Sequence, residues 1–239
     1  MADRNYTFYP IYVKEDALKI PSDNKYFIYN PITIDGVEGY EIALNAYYTL
    51  KGKITIPSQY NGKDIISLGN FFPGGLRATG IFFMPDSKLL QVARNAFAPS
   101  SSDLDGLPRE DINLKGVYLP DSVKYIKYSA FEDAKGLEHI SIQYVLDSTK
   151  IGHMSASLVN IEDRAFYSTE KLYIAQLPDQ LATIGSNAFN GAGNNITISS
   201  LPKTISNIGI GAFIGCTNLH ITEFGLDANE VGYVEMSIG

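Results

Sequence analysis

Cysteine is almost missing from this chain. Its 239 residues include one, Cys216, so no internal disulfide and no cysteine-built zinc cage can form. A lone thiol of this kind is read as a small buried hydrophobe, not a nucleophile. Tryptophan is absent and histidine occurs three times. Positive charge is short as well: 19 Lys and Arg face 26 Asp and Glu, giving a net charge of −7 and a pI of about 5.0. Such a surface lacks the positive field that attracts phosphate, which excludes broad binding to nucleic acid or anionic membrane. No stretch nears the roughly 18 consecutive apolar residues of a membrane span, so no membrane insertion is expected. The opening residues, MADRNYTFYPIYVKEDALKIP, show no apolar core behind positive charge. As written, the chain is expected to be made in the cytoplasm without Sec export.

The signatures of catalysis are missing too. No serine sits in a G-x-S-x-G elbow, and there is no phosphate loop or dinucleotide fingerprint. Nothing singles out a carboxylate pair for glycoside hydrolysis. Asp103-x-Asp105-Gly106 has the start of a calcium loop without its later ligands. His139, His153 and His220 have no Asp or Cys partners at metal spacing. The expectation is a non-enzymatic protein with no cofactor and no metal.

What is present is an ordinary globular balance, 45% hydrophobic and 19% charged, which lets a sizeable core be buried. It is arranged as a repeat. Ala-Phe occurs at Ala96-Phe97, Ala130-Phe131, Ala165-Phe166, Ala188-Phe189 and Ala212-Phe213, at intervals of 34, 35, 23 and 24 residues. The short intervals give a unit of about 23 residues, and the long ones fit that unit with an insertion. Five residues before each Phe stands Val92, Ile126, Ile161, Ile184 or Ile208. Three further back stands Leu89, Val123, Leu158, Leu181 or Ile205. Pro120, Pro178 and Pro202 lie eleven before the Phe, Ser155 takes that place in the third unit, and Pro85 comes one residue early. Leu137, Leu172 and Leu219 follow six after it. A degenerate copy begins at KITIPSQYNGKDIISLG, from Lys53 to Gly69.

A 23-residue period is too short for helical-pair repeats and falls in the leucine-rich-repeat range of roughly 20–29. Each unit holds two short extended pieces, the first ending at the proline, which cannot donate to a ladder. One unit cannot bury its own Leu, Ile and Phe, but stacked units can. Ile126, Ile161, Ile184 and Ile208 should form one ladder, and Phe131, Phe166, Phe189 and Phe213 another. The alanine before each Phe should be small because a neighbouring coil passes close by. The expected fold is mainly β: a right-handed leucine-rich-repeat solenoid with short strands and tight or single-turn helical corners, plus an N-terminal capping region. Residues 53–225 form the solenoid, with insertions near 99–116 and 143–155.

The string PKTISNIGIGAFIGC, Pro202 to Cys216, resembles the BspA-like leucine-rich repeats, and ITIPSQYNGKDIISLG resembles that family's usual opening unit. The resemblance covers roughly residues 40–225. The family implies bacterial surface adhesins, protist surface proteins or proteins carried by phages of gut bacteria. The chain departs from the pattern in lacking the cysteine in every unit but the last and in carrying two long insertions.

Residues 1–52 are expected to be an N-terminal cap or an anchoring module. Tyr26–Tyr29 and Tyr40–Leu44 read as strands. Tyr6, Phe8, Tyr9 and Tyr12 either help cover the first coil or dock on another protein. Residues 226–239, with Val231, Tyr233, Met236 and Ile238, read as a closing strand. Counting two residues back from each proline position places Thr55, Phe83, Tyr118, Ser141, Gln176, Ser200 and Glu223 on one outward stripe, the candidate binding face. Phe83 and Tyr118 are adjacent along it, unless Phe83 packs under an insertion. The expected function is an interaction module that is a structural or receptor-recognition component of a larger assembly, such as a phage tail or capsid accessory protein. The alternative is a bacterial surface adhesin that binds a host protein or glycan. Either places it on a virion or a cell surface, with protein partners and no nucleic acid; an oligomer is compatible with both.

Overall fold

A computed structural model of the chain describes residues 25–45, 50–70, 76–98, 114–140 and 152–222. The segment with Tyr6, Phe8, Tyr9 and Tyr12, the face residues Ser141 and Glu223, and the expected closing strand at 226–239 lie outside the described residues.

The architecture is mainly β, and no helix occurs among the described residues. β1 (Phe27–Ile34) and β2 (Val37–Leu44) form an antiparallel hairpin. β3 (Leu50–Ile56), β6 (Leu76–Phe83) and β8 (Gly116–Val117) form a three-stranded parallel sheet. Those are the pieces that run up to the proline. The second pieces of the units are β5 (Lys63–Leu68), β7 (Gln91–Val92), β9 (Tyr125–Ile126), β10 (Asn160–Ile161), β11 (Thr183–Ile184) and β12 (Asn207–Ile208). They stack in parallel in chain order after β2, and β4 (Gln59–Tyr60) pairs with β5 at the side. We call this larger sheet the rung sheet and the other the proline-side sheet.

The ladders fall where the repeat places them. Val92, Ile126, Ile161, Ile184 and Ile208 are register partners from coil to coil. Phe97, Phe131, Phe166, Phe189 and Phe213 form one stack, with successive ring centroids 5.1, 5.2, 5.1 and 5.3 Å apart and planes within 10° of parallel. Offset parallel rings at this distance add to what their burial contributes. The alanines before them are buried, and their smallness lets the backbones meet. The N–H groups of Phe97, Phe131, Phe166 and Phe189 donate to the carbonyls of Ala130, Ala165, Ala188 and Ala212 of the next coil at 2.7–2.8 Å.

That contact belongs to a third ladder with no strand in it. Two residues before each Phe, Asn95, Ser129, Arg164, Asn187 and Gly211 all have left-handed backbone, φ between 51° and 69°. Two residues after it, Asp133, Ser168, Gly191 and Gly215 do the same. The N–H groups of Ser129, Arg164 and Asn187 donate to Asp163, Ser186 and Ile210 of the following coil. Those of Asp133, Ser168 and Gly191 donate to Tyr167, Asn190 and Ile214. A left-handed position costs an ordinary L-residue roughly 1–2 kcal/mol. The extra inter-coil bonds offset it, and Arg164 is held further by a two-nitrogen grip on Glu132 and by Tyr167, whose ring lies 4.1 Å below the guanidinium.

The hairpin stands at the edge of the rung sheet, before β5. Asp35 and Gly36 take φ of 51° and 78°, the positive values of a two-residue I′ turn. β2 pairs with β5, with a bulge opposite Tyr40 and Glu41 that makes Ile66 the extra residue. Ile66 is fully buried beside Gly39, where any side chain would strike the Asp64 carbonyl at 2.5 Å. The turn reaches on to β9, where Asp35 Oδ2 accepts from the Tyr125 hydroxyl at 2.8 Å and pairs with Lys124 at 3.4 Å. The hairpin is therefore a strap across the first coils.

Candidate functional site

The proline-side sheet carries the expected stripe, with one correction. Thr55 sits opposite Phe82, not Phe83, which pairs with the core residue Ile56. Phe83 is 1% exposed and belongs to the core. The count from the proline fails here because the turn starts one residue earlier. Ser87 N–H bonds the Met84 carbonyl, as Val123 N–H bonds that of Pro120 and Leu181 N–H that of Pro178. Met84 thus takes the place that proline holds elsewhere, and a slip of one residue reverses the face of a strand. Ser155 fills that place in the third unit, with Leu158 N–H on its carbonyl.

On the other side of the strand, Phe82, 6% exposed, and the half-exposed Tyr118 make an aromatic pair, stacked at 4.5 Å with planes 12° apart. Gly80 and Gly116 are register partners beneath them. A Cβ at Gly116 would lie 2.8 Å from the Tyr118 ring, and one at Gly80 would lie 3.0 Å from Phe82, so each ring lies back over a glycine of its own strand. Burial, then the Glu138 carboxylate, push the Tyr118 phenol above its usual pKa. Glu138 itself pairs with Lys115 at 2.8 Å. His139 bridges to Gly116 and is half-buried; its Nδ1 is enclosed without a partner, and burial lowers its pKa. Gln176 is exposed and bridges to His153, and Ser200 is half-buried. The two insertions join the described structure at Leu114 and Ile140, one on each side of Tyr118 in the chain.

The rung sheet carries a second feature, a polar row one residue before each rung: Ser67, Gln91, Tyr125, Asn160, Thr183 and Asn207, in register. Under the strap the row is satisfied. Gln91 Nε2 donates to Ser67 Oγ at 3.0 Å, Ser67 Oγ donates to Glu41 at 2.8 Å, and Tyr125 donates to Asp35. Beyond it, a groove of about 350 Å3 is lined by Asn160, Thr183 and Asn207 together with Tyr128, Glu162 and Asp163. The sequence reading missed these residues; the signal was polarity at one fixed place of three successive units.

Among the described residues no catalytic constellation stands out on either face. Among the described residues no group of His, Cys, Asp and Glu could hold a metal, and no helix is long and apolar enough to cross a membrane. Cys216 is buried, its thiol lies 3.2 Å from the Phe189 carbonyl, and burial pushes its pKa up to about 11.

Parallel coils of 23 or 24 residues, lengthened to 34 and 35 where an insertion is carried, stack on Ile and Phe ladders and define a leucine-rich-repeat solenoid. More narrowly, the chain belongs to the BspA type leucine rich repeat family, whose sequence model matches six copies over residues 109–155 and 147–234. Three solved structures are similar to this chain. A leucine rich repeat protein of T. pallidum is 22% identical, with 82% of this chain and 67% of that one covered and a TM-score of 0.47. A leucine rich cell surface protein of Faecalibacterium prausnitzii A2-165 is 20% identical, covering 82% and 52%, with a TM-score of 0.50. A leucine-rich repeat protein of Bacteroides ovatus ATCC 8483 is 21% identical, covering 83% and 51%, with a TM-score of 0.46. The chain spans about half the length of the latter two. No curated protein matches the sequence.

Proposed function

We propose that this chain is a non-enzymatic interaction module that presents the proline-side sheet to a protein partner, as a component of a larger assembly such as a phage virion. The observation that carries this reading is the Phe82–Tyr118 pair on its glycine floor. Aromatic side chains held rigid at the surface supply contact area at little entropic cost and are enriched in the centres of interfaces. Tyr118 is the half-exposed member and Phe82 supports it from beside. A cell-surface adhesin is the second reading, favoured by the surface protein among the similar solved structures.

A photo-crosslinking residue at position 118, with fractionation of virions and cell envelopes, tests this. The expected result is recovery of the chain in particles, with a crosslinked partner. Recovery in the envelope selects the adhesin. A free chain with no crosslink from position 118 defeats both. Tyr118→Ala should weaken retention at least tenfold, the loss of an interface anchor worth about 2 kcal/mol.

A further inference from the structure

The two halves of the polar row differ in a way that packing does not require. Ser67, Gln91 and Tyr125 find partners within the protein. No such bond is made by the side chains of Asn160 and Asn207 among the described residues, and Thr183 Oγ1 is enclosed with no partner. A buried polar atom without a hydrogen bond is costly, and its persistence asks for an explanation. Parallel strands put these three side chains about 4.8 Å apart along the stack. That is a row of two amides and a hydroxyl, able to donate and accept at regular intervals.

The walls of the groove have fixed chemistry. Glu162 accepts the Tyr128 N–H at 2.8 Å and pairs with Lys127, while Asp163 Oδ1 accepts the Ser186 N–H at 2.7 Å. Both carboxylates are thus pinned in place, and Asp163 keeps its second oxygen. Tyr128 also lines the groove, and its ring is clamped by the Arg94 guanidinium, 4.4 Å from its centroid. Gly185, at the place where Glu162 stands one coil earlier, leaves the floor without a side chain. No cationic side chain lines the groove, and its two carboxylates disfavour an anion.

We propose that this groove is a binding site for a neutral saccharide. Such a ligand presents closely spaced hydroxyls that both donate and accept, which is what the row of Asn160, Thr183 and Asn207 offers together with the pinned carboxylates. Its apolar ring face suits Tyr128. At about 350 Å3 the groove lies at the small end of ligand pockets, which run from about 300 Å3 upward, the scale of one or two sugar rings. An extended peptide is disfavoured, because the groove lies on the outward face of β10–β12 and its outward-facing lining is polar, with no apolar pocket for an anchor side chain. The site is independent of Tyr118.

The test uses saturation-transfer NMR on the full chain with maltose, cellobiose, lactose and N-acetyllactosamine as probes, followed by titration calorimetry on any that respond. The expected result is transfer to at least one of the four. The N160A/N207A double variant should then weaken it tenfold or more, while Tyr118→Ala leaves it unchanged. Thr183→Val, which keeps the shape and removes only the unpartnered hydroxyl, should weaken it several-fold with no loss of thermal stability. Silence from all four sugars overturns the proposal, as does binding that survives both groove variants. So does a peptide ligand that competes for Asn160 and Asn207 where no sugar does. Loss of partner retention in Tyr118→Ala with sugar binding intact would separate this site from the assembly face.

Discussion

The rung sheet has two halves with the same core and different outsides. From β5 to β9 a hairpin lies over the first coils, its turn is tied to Tyr125, and the polar side chains at the surface are bonded to one another. From β10 to β12 the side chains of Asn160 and Asn207 make no such bond among the described residues, and the Thr183 hydroxyl between them is enclosed with no partner. The Phe stack runs beneath both halves without a change in spacing. The packing of the core and the chemistry of the surface are therefore separable here. The inward residues of each unit secure the stack, and the residue before each rung is left to vary.

The sharpest way to break that comparison is through the core. Phe131→Ala, under the strap, and Phe189→Ala, under the groove, should each cost about 3–5 kcal/mol in urea unfolding. Both rings are fully buried and stacked on two sides. Clearly unequal losses, or a two-step transition in one variant, would mean that the halves differ inside as well.

Gly185→Ala should come next, at roughly 1–3 kcal/mol, the range for overpacking. A Cβ there would meet the Asp163 backbone nitrogen at 2.3 Å, whereas Ala93 and Lys127 carry side chains at the same place in earlier coils. A neutral result in thermal melts would show that the later coils are as spacious as the earlier ones.

The smallest effect belongs to the strap. Asp35→Ala should cost about 1 kcal/mol, the worth of one hydrogen bond, and should speed amide exchange in β1 and β2. The hydrogen bond to Asp35, then burial and the Asp35 charge, raise the Tyr125 phenol above its usual 10.0. A raised folded-state pKa means that the tie contributes fully below about pH 10 and is lost as pH rises through the raised value. In the variant the phenol should titrate nearer its ordinary value, and an unchanged titration would show that the strap does not rely on this contact.

Much of this was legible in the sequence because a repeat reports its own core. The five Ala-Phe pairs and the rungs five residues before them announced both ladders, and the small residue before each Phe announced the close backbone approach. Three things were hidden, for different reasons. Phe83 was assigned to the surface because proline marked the turn, and Met84 takes that role in one coil. The left-handed corner positions are filled by Asn, Ser, Arg and Gly, and an arginine there conceals a pattern that glycine would have shown. The strap and the groove depend on which coils lie beneath the hairpin, and Asp35 meets Tyr125 across 90 residues of chain that no local signal spans.

The corner ladder has a direction. At each boundary the earlier coil gives N–H groups forward, and the later coil meets them with carbonyls. Every junction is thus chemically alike, and a coil removed from the interior leaves two edges that still match each other. Duplication or loss of a whole 23-residue unit in the gene would pass as a change of length, without a break in the fold. For a chain like this, the number of coils is an evolutionary variable as accessible as the identity of any one side chain.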